Sequence, residues 1–154
     1  LAMSMVVRHP EQHAIVPALI GIAQEELEHF ADVYRVMRGR GVDLVPDIKD
    51  PYVERLYAHV RHGRESRFLD RLLVSSVIEC RGAERFGIIA ASLDDAELRD
   101  FYQRLWRAEI KHGHQFADMA LKVFDEDIVL ARLRELMSIE AEIVEQLDWR
   151  PSLH

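Results

Sequence analysis

Two Glu-x-x-His tetrapeptides, Glu26 to His29 and Glu109 to His112, have the residue types and the spacing to hold metal ions. Residues three apart on a helix share a face, so each carboxylate and its imidazole can reach toward one point. The neighbours read as apolar stripes with four-three-four spacing: Ile22, Glu26, His29, Val33 in the first and Leu105, Glu109, His112, Phe116 in the second. Helices turn such stripes inward. Burying an ionised carboxylate is unfavourable by several kcal/mol unless it is paired, hydrogen-bonded or metal-bound. A dinuclear metal centre would supply the compensating charge, and oxygen plus imidazole donors without thiolate suit iron or manganese better than structural zinc. The plainer reading is that each Glu and His hydrogen-bond across the core or sit at its rim. Chance comes close to producing one such tetrapeptide in this composition, so the position on apolar stripes carries the argument.

Helices must place these pairs. Pro10 followed by a periodic stretch from Ala14 predicts a helix to about Met37, ended by Gly39 and Gly41. The Pro- and Asp-rich stretch from Val42 to Pro51 reads as a loop, followed by a short helix from Tyr52 to about Arg61 that Gly63 breaks. Longer patterns run from Glu65 to Ala91, from Ala96 to Phe124 after a turn and N-cap signal at Ser92, Asp94 and Asp95, and from Glu126 to Leu147, before Pro151. A helical pattern is already under way at Leu1 to Val7, and the chain opens on Leu and not Met, so an N-terminal portion is expected to be missing. No alternating strand pattern appears. The expectation is an all-α bundle.

At 154 residues the chain fits one domain, 1–154, with a real core. Hydrophobic residues at 49% and charged residues at 31% fit a soluble helical protein. No run approaches the roughly eighteen apolar residues of a membrane span and no signal-peptide pattern opens the chain, so a cytoplasmic protein with no membrane partner is expected. The single cysteine, Cys80, reads as a small buried hydrophobe without chemistry. A net charge of −7 argues against nucleic-acid binding by the whole surface. The distribution is uneven: Arg35 to Arg71 holds nine basic and six acidic residues, whereas Asp94 to Asp148 holds seven basic and fourteen acidic. From charge alone the basic stretch reads as an ordinary solvated face.

A dinuclear carboxylate site in a four-helix bundle takes a Glu from each of two helices and a Glu-x-x-His from each of the other two. Between the two tetrapeptides lie Glu79 and Glu84, which point about 140° apart on an ideal helix, so only one can face the metals. Glu79 shares its line with Leu72, Ser76, Ala83 and Phe86 and is the preferred ligand, with Glu84 the alternative. The sixth ligand is not obvious. Either it lies upstream of Leu1, or Glu140 supplies it from the stripe Leu133, Met137, Glu140, Val144 and Leu147. The former is preferred.

With these motifs placed, the chain resembles the ferritin-like di-iron carboxylate proteins, and within them the tRNA 2-methylthio-isopentenyl-adenosine hydroxylase family. The resemblance rests on the segments Glu25-Glu26-Leu27-Glu28-His29-Phe30, Ile78-Glu79-Cys80-Arg81-Gly82-Ala83-Glu84-Arg85-Phe86, Glu109-Ile110-Lys111-His112 and Ile139-Glu140-Ala141-Glu142-Ile143. It implies a ferritin-like four-helix bundle with additional helices, the first bundle helix largely absent from this chain. It implies Glu26, His29, Glu79, Glu109 and His112 as ligands of two iron ions, with one further Glu from that first helix. The implied reaction uses O2 and two electrons from an electron-donor protein to hydroxylate the isopentenyl group of a modified adenosine in the tRNA anticodon loop. Phe30, Phe86 and Phe116 would then line a prenyl pocket or simply fill the core. Arg55, Arg61, Arg64 and Arg67, with Tyr52 and Tyr57 interleaved, become candidate tRNA contacts through phosphate pairing and base stacking. His13, His59, His62, His114 and His154 lie off the stripes and are read as surface residues. Rival readings are iron oxidation and storage or peroxide reduction with the same ligands, and a non-enzymatic helical module.

Overall fold

Residues 1–148 are described by the structure, a computed structural model. Pro151 and His154, expected after the last helix and at the surface, lie outside the described residues. Backbone contacts divide the chain into two compact units, 1–48 and 49 onward. All regular structure among the described residues is helical, as the absence of strand patterning predicts.

The first unit contains α1 (Ala2–Arg8) and α2 (Val16–Gly39). Pro17 sits in the first turn of α2, where its missing N–H is no loss. The helix stops where the amides of Arg40 and Val42 return to the Met37 carbonyl at 3.0 and 2.9 Å, and Gly41 takes a φ of +72°. That left-handed turn is one that glycine adopts without strain. α1 packs on α2, and the buried residues of the unit are Ala2, Met5, Ile15, Leu19 and Ile22.

The second unit contains α3 (Pro51–Tyr57), α4 (Arg64–Ser92), α5 (Ala96–Val123) and α6 (Glu126–Glu145). Asp50, Asp95 and Asp125 each accept a backbone N–H at the start of α3, α5 and α6, satisfying donors that a helix start leaves open. The short connection between α4 and α5 makes them an antiparallel pair packed along much of their length, and α3 and α6 pack against α4. α4 is buried almost all round from Phe68 to Val77.

Two boundaries and one face differ from expectation, and one buried carboxylate accounts for much of it. Asp70 is fully buried on α4. Its oxygens accept from Nε and Nη2 of Arg61 at 2.8 to 3.2 Å, from Nε and Nη2 of Arg132 at 3.0 and 2.8 Å, and from the Arg61 amide at 2.8 Å. Because the Arg61 backbone is drawn to Asp70, α3 ends at Tyr57 and not near Arg61. Arg132 also donates to the His59 carbonyl at 2.8 Å, which ties the α3–α4 turn to α6. With Arg132 inside, the buried line of α6 is Val129, Arg132, Leu136, Glu140 and Ile143. The expected stripe through Leu133 and Met137 is therefore rotated outward, and Met137 is 56% exposed. An apolarity pattern cannot find a face that an arginine helps to build.

Burial alone would raise the Asp70 pKa, but the hydrogen bonds from Arg61 and Arg132 outweigh it and hold the carboxyl below the ordinary carboxylate value. A depressed folded pKa contributes stability that is present above the unfolded value and lost as pH falls through the folded one. Asp70→Asn removes the buried anion of Arg132, leaving it only the exposed Glu135 at 2.8 Å, and should lower the unfolding free energy at neutral pH by about 3–5 kcal/mol in urea titrations. The gap between wild type and variant should close only in acid, below about pH 4; a gap under about 1 kcal/mol at neutral pH would contradict this assignment.

Candidate metal centre

α5 carries its buried residues on one line, Phe101, Leu105, Glu109, His112, Phe116 and Ala120, so the second Glu-x-x-His pair does face inward. His112 is 0% and Glu109 7% exposed, and His112 Nδ1 lies 3.3 Å from Glu109 Oε2. Two donors each about 2.1 Å from one ion and at about a right angle stand about 3 Å apart, so this spacing suits a shared cation. The donor set, one hard carboxylate oxygen and one imidazole nitrogen, fits iron.

The first pair lies on α2, with His29 Nδ1 4.0 Å from Glu26 Oε1. The two side chains share a face as their spacing requires, yet Glu26 is 45% and His29 21% exposed, and Leu27 and Phe30 nearby are exposed. Full burial of this stripe was expected and is not seen. Within its unit α2, of 24 residues, has only the seven-residue α1 to pack on, too short to cover its C-terminal half.

Glu79 is half-buried on α4, and Glu84 is exposed in an ion pair with Arg81. The Ser76 hydroxyl donates to the Gly113 carbonyl at 2.8 Å, which sets the register of the antiparallel α4–α5 pair. Three residues on from Ser76, Glu79 comes level with the Glu109–His112 segment, whereas Glu84 falls about a turn and a half beyond, near Leu105. This register favours Glu79. Glu140 is engaged otherwise: Arg81 Nε and Nη2 donate to its two oxygens at 2.6 and 2.8 Å, and the Tyr52 hydroxyl reaches it at 3.3 Å. Burial first, and then the Glu140 charge, push the Tyr52 phenol far above its ordinary value, so it remains a donor. A fork-to-carboxylate pair of this kind leaves Glu140 poorly placed to bind metal.

Several surface expectations change. Tyr52 is fully buried with Arg85 5.5 Å over its ring, so it cannot stack on a base; burial of the hydrophobic α3 face, not exposure, decided its place. Arg61 is committed to Asp70. Arg55, Arg64 and Arg67 are exposed beside His59 and His62, with Arg67 Nη2 3.0 Å from His62 Nδ1. Tyr57 is half-buried. His13 and His114 are exposed as expected. Cys80, expected in the core, lies exposed on the wall of a cavity of about 470 Å³ between α4, α5 and α6, with Ser76, Val77, His114, Leu133 and Met137 among its lining. Its sulfur turns toward α5, where burial first and then the Glu79 charge push the thiol up. Phe116 is core, Phe30 is exposed, and Phe86 packs on Tyr102 with ring centroids 5.7 Å apart. The cavity and the Arg81–Glu140–Tyr52 cluster were not found from sequence, because their members are far apart in the chain and follow no motif spacing.

The helical fold is of the ferritin-like class, and Glu/His pairs that share one helix face suit metal binding. The fold agrees with a solved structure, "Protein 43 with aldehyde deformylating oxygenase activity" from Synechococcus, at a TM-score of 0.91 and 31% identity, covering 97% of this chain and 75% of that one. The model of the family described as tRNA-(MS[2]IO[6]A)-hydroxylase (MiaE) matches residues 1–154, and the chain belongs to that family. Two curated relatives are each named tRNA 2-(methylsulfanyl)-N(6)-isopentenyladenosine(37) hydroxylase. That of Salmonella typhimurium is 30% identical over 135 residues, covering 88% of this chain and 49% of the relative. That of Pseudomonas putida is 29% identical over 153 residues, covering 99% and 74%. The chain thus spans about half the length of the first relative and three quarters of the second. No helix among the described residues is long and apolar enough to cross a membrane.

Removing either buried donor should weaken metal binding more than removing an exposed histidine on the same helix. Glu109→Ala and His112→Ala are each expected to bind Fe(II) anaerobically at least about tenfold more weakly than wild type, while His114→Ala binds normally; equal affinity in all three would contradict the site.

Proposed function

We propose that this chain belongs to an O2-dependent di-iron monooxygenase that hydroxylates the isopentenyl group of 2-methylthio-isopentenyl-adenosine in the anticodon loop of tRNA, in the cytoplasm, with two electrons from a donor protein. The observation that carries the reading is the sealed Glu109–His112 pair in a chain of the MiaE family. Glu26, His29, Glu79, Glu109 and His112 are proposed as ligands of the two irons, with 1–154 working as one domain. When bound, the iron pair would supply O2 activation for attack on an allylic C–H bond. The chain's own part is to fix the donors. The buried α5 stripe keeps water from Glu109 and His112 and strengthens their hold on a cation. Arg81 keeps Glu140 out of the ligand set, so the acidic groups nearby do not compete for metal.

For tRNA, the exposed Arg55, Arg64 and Arg67 are the proposed phosphate contacts, and Arg61 and Tyr52 are withdrawn from that role. A second reading has one specific support, the aldehyde oxygenase activity in the name of the solved relative. It keeps the metal chemistry and changes the substrate.

Mass analysis of tRNA nucleosides from cells with and without the gene separates the two. Loss of hydroxylated prenyl-adenosine on deletion is expected; an unchanged nucleoside profile, with consumption of an aldehyde by the purified protein, would favour the second reading. Arg64→Glu with Arg67→Glu should weaken tRNA binding and reduce the slope of log K against log salt by about one for each arginine–phosphate pair removed, with iron retained. Unchanged affinity and slope would remove these residues from the interface.

A further inference from the structure

We infer that Gly113, with Ser76 and Cys80 opposite it, is a positioning residue that sets the spacing between the metal-ligand arms of α4 and α5. The inference rests on the ligand assignment of Glu79, Glu109 and His112 and goes beyond it. A Cβ added at Gly113 would lie 2.6 Å from Cys80 Sγ and 3.3 Å from both the Cys80 amide nitrogen and the Ser76 carbonyl oxygen. Turning the thiol about its one side-chain bond relieves the first contact. The other two are to backbone, which cannot turn away, so an added Cβ would push α4 and α5 slightly apart. The Ser76 hydroxyl donates across the same contact to the Gly113 carbonyl at 2.8 Å in a buried bond. Close approach fixes the distance between the helices, and the hydrogen bond fixes their register, since a slip of one residue is about 1.5 Å along the axis.

The contact residues are chain neighbours of proposed ligands: Gly113 follows His112, and Cys80 follows Glu79. Any spreading of the helices at 113 is delivered to both arms at once. Metal and catalytic sites need their donors within about 0.5 Å of the working geometry. Glycine in a helix interior is less favourable than alanine, so its presence here in the middle of α5 is accounted for by the approach it permits and not by local helix stability. Cys80 likewise serves by its size, a small side chain that fills the gap beside the glycine.

Anaerobic titration with Co(II), whose visible absorption reports ligand geometry, tests this alongside far-ultraviolet circular dichroism. Gly113→Ala should keep its helix content, bind Co(II) at least about tenfold more weakly and show a changed absorption band. Adding Cys80→Ala to Gly113→Ala removes only the thiol contact and leaves both backbone contacts, so the double variant should stay nearly as weak as the single one. Ser76→Ala, which creates no clash and so tests register even if Gly113→Ala does not fold, should also alter the band. Gly113→Ala and Ser76→Ala that both bind with wild-type affinity and spectrum would overturn the latch while leaving the ligand assignment standing. A double variant that regains wild-type affinity and band would show that the thiol, and not the backbone approach at Gly113, sets the spacing. If Glu109→Gln binds Co(II) as wild type does, the ligand assignment fails and the latch with it.

Discussion

A carboxylate and an imidazole sealed together on the inner face of α5 are the constraint around which the second unit is organised. Glu109 and His112 take two of the stripe positions that Leu105 and Phe116 occupy on either side. Such a stripe normally excludes charge, because an ionised group taken out of water loses several kcal/mol of hydration unless it is paired, hydrogen-bonded or metal-bound. A cation bound between the two would change that balance, which is the role proposed for them.

The rest of the unit treats buried charge differently, and the contrast is informative. Asp70 is matched by two guanidinium groups, and Glu140 by Arg81 with Tyr52 added. Both clusters join helices: Asp70 ties the α3–α4 turn and α6 to α4, and Glu140 ties α6 to α3 and α4. In these clusters arginine provides the positive charge. Beside Glu109 and His112 the structure places a close helix approach at Gly113.

Much of this was legible in the sequence. Helices were readable because their signals are local: the glycines at 39 and 41 end α2, Gly63 with a φ of +98° separates α3 from α4, and Asp95 caps α5. The α5 stripe was readable because apolar periodicity and the pair coincide. What could not be read depended on partners remote in the chain. The α6 face was missed because Arg132 becomes a core residue only when Asp70 is opposite it, and Tyr52 was taken for a stacking residue because nothing local shows that Glu140 waits for its hydroxyl. Cys80 was placed in the core, although the cavity between α4, α5 and α6 leaves it exposed.

The central claim is that both Glu-x-x-His pairs serve one dinuclear centre. Mössbauer spectroscopy of the chain reconstituted with ⁵⁷Fe under anaerobic conditions and then oxidised tests it most directly, since two ferric ions sharing bridging ligands couple their spins. The account predicts two irons per chain with the spectrum of a coupled pair, reduced to uncoupled or absent iron when either Glu26 or Glu109 is replaced by alanine. Iron that is mononuclear in the wild type, or a coupled spectrum that survives replacement of one of these glutamates, would contradict it.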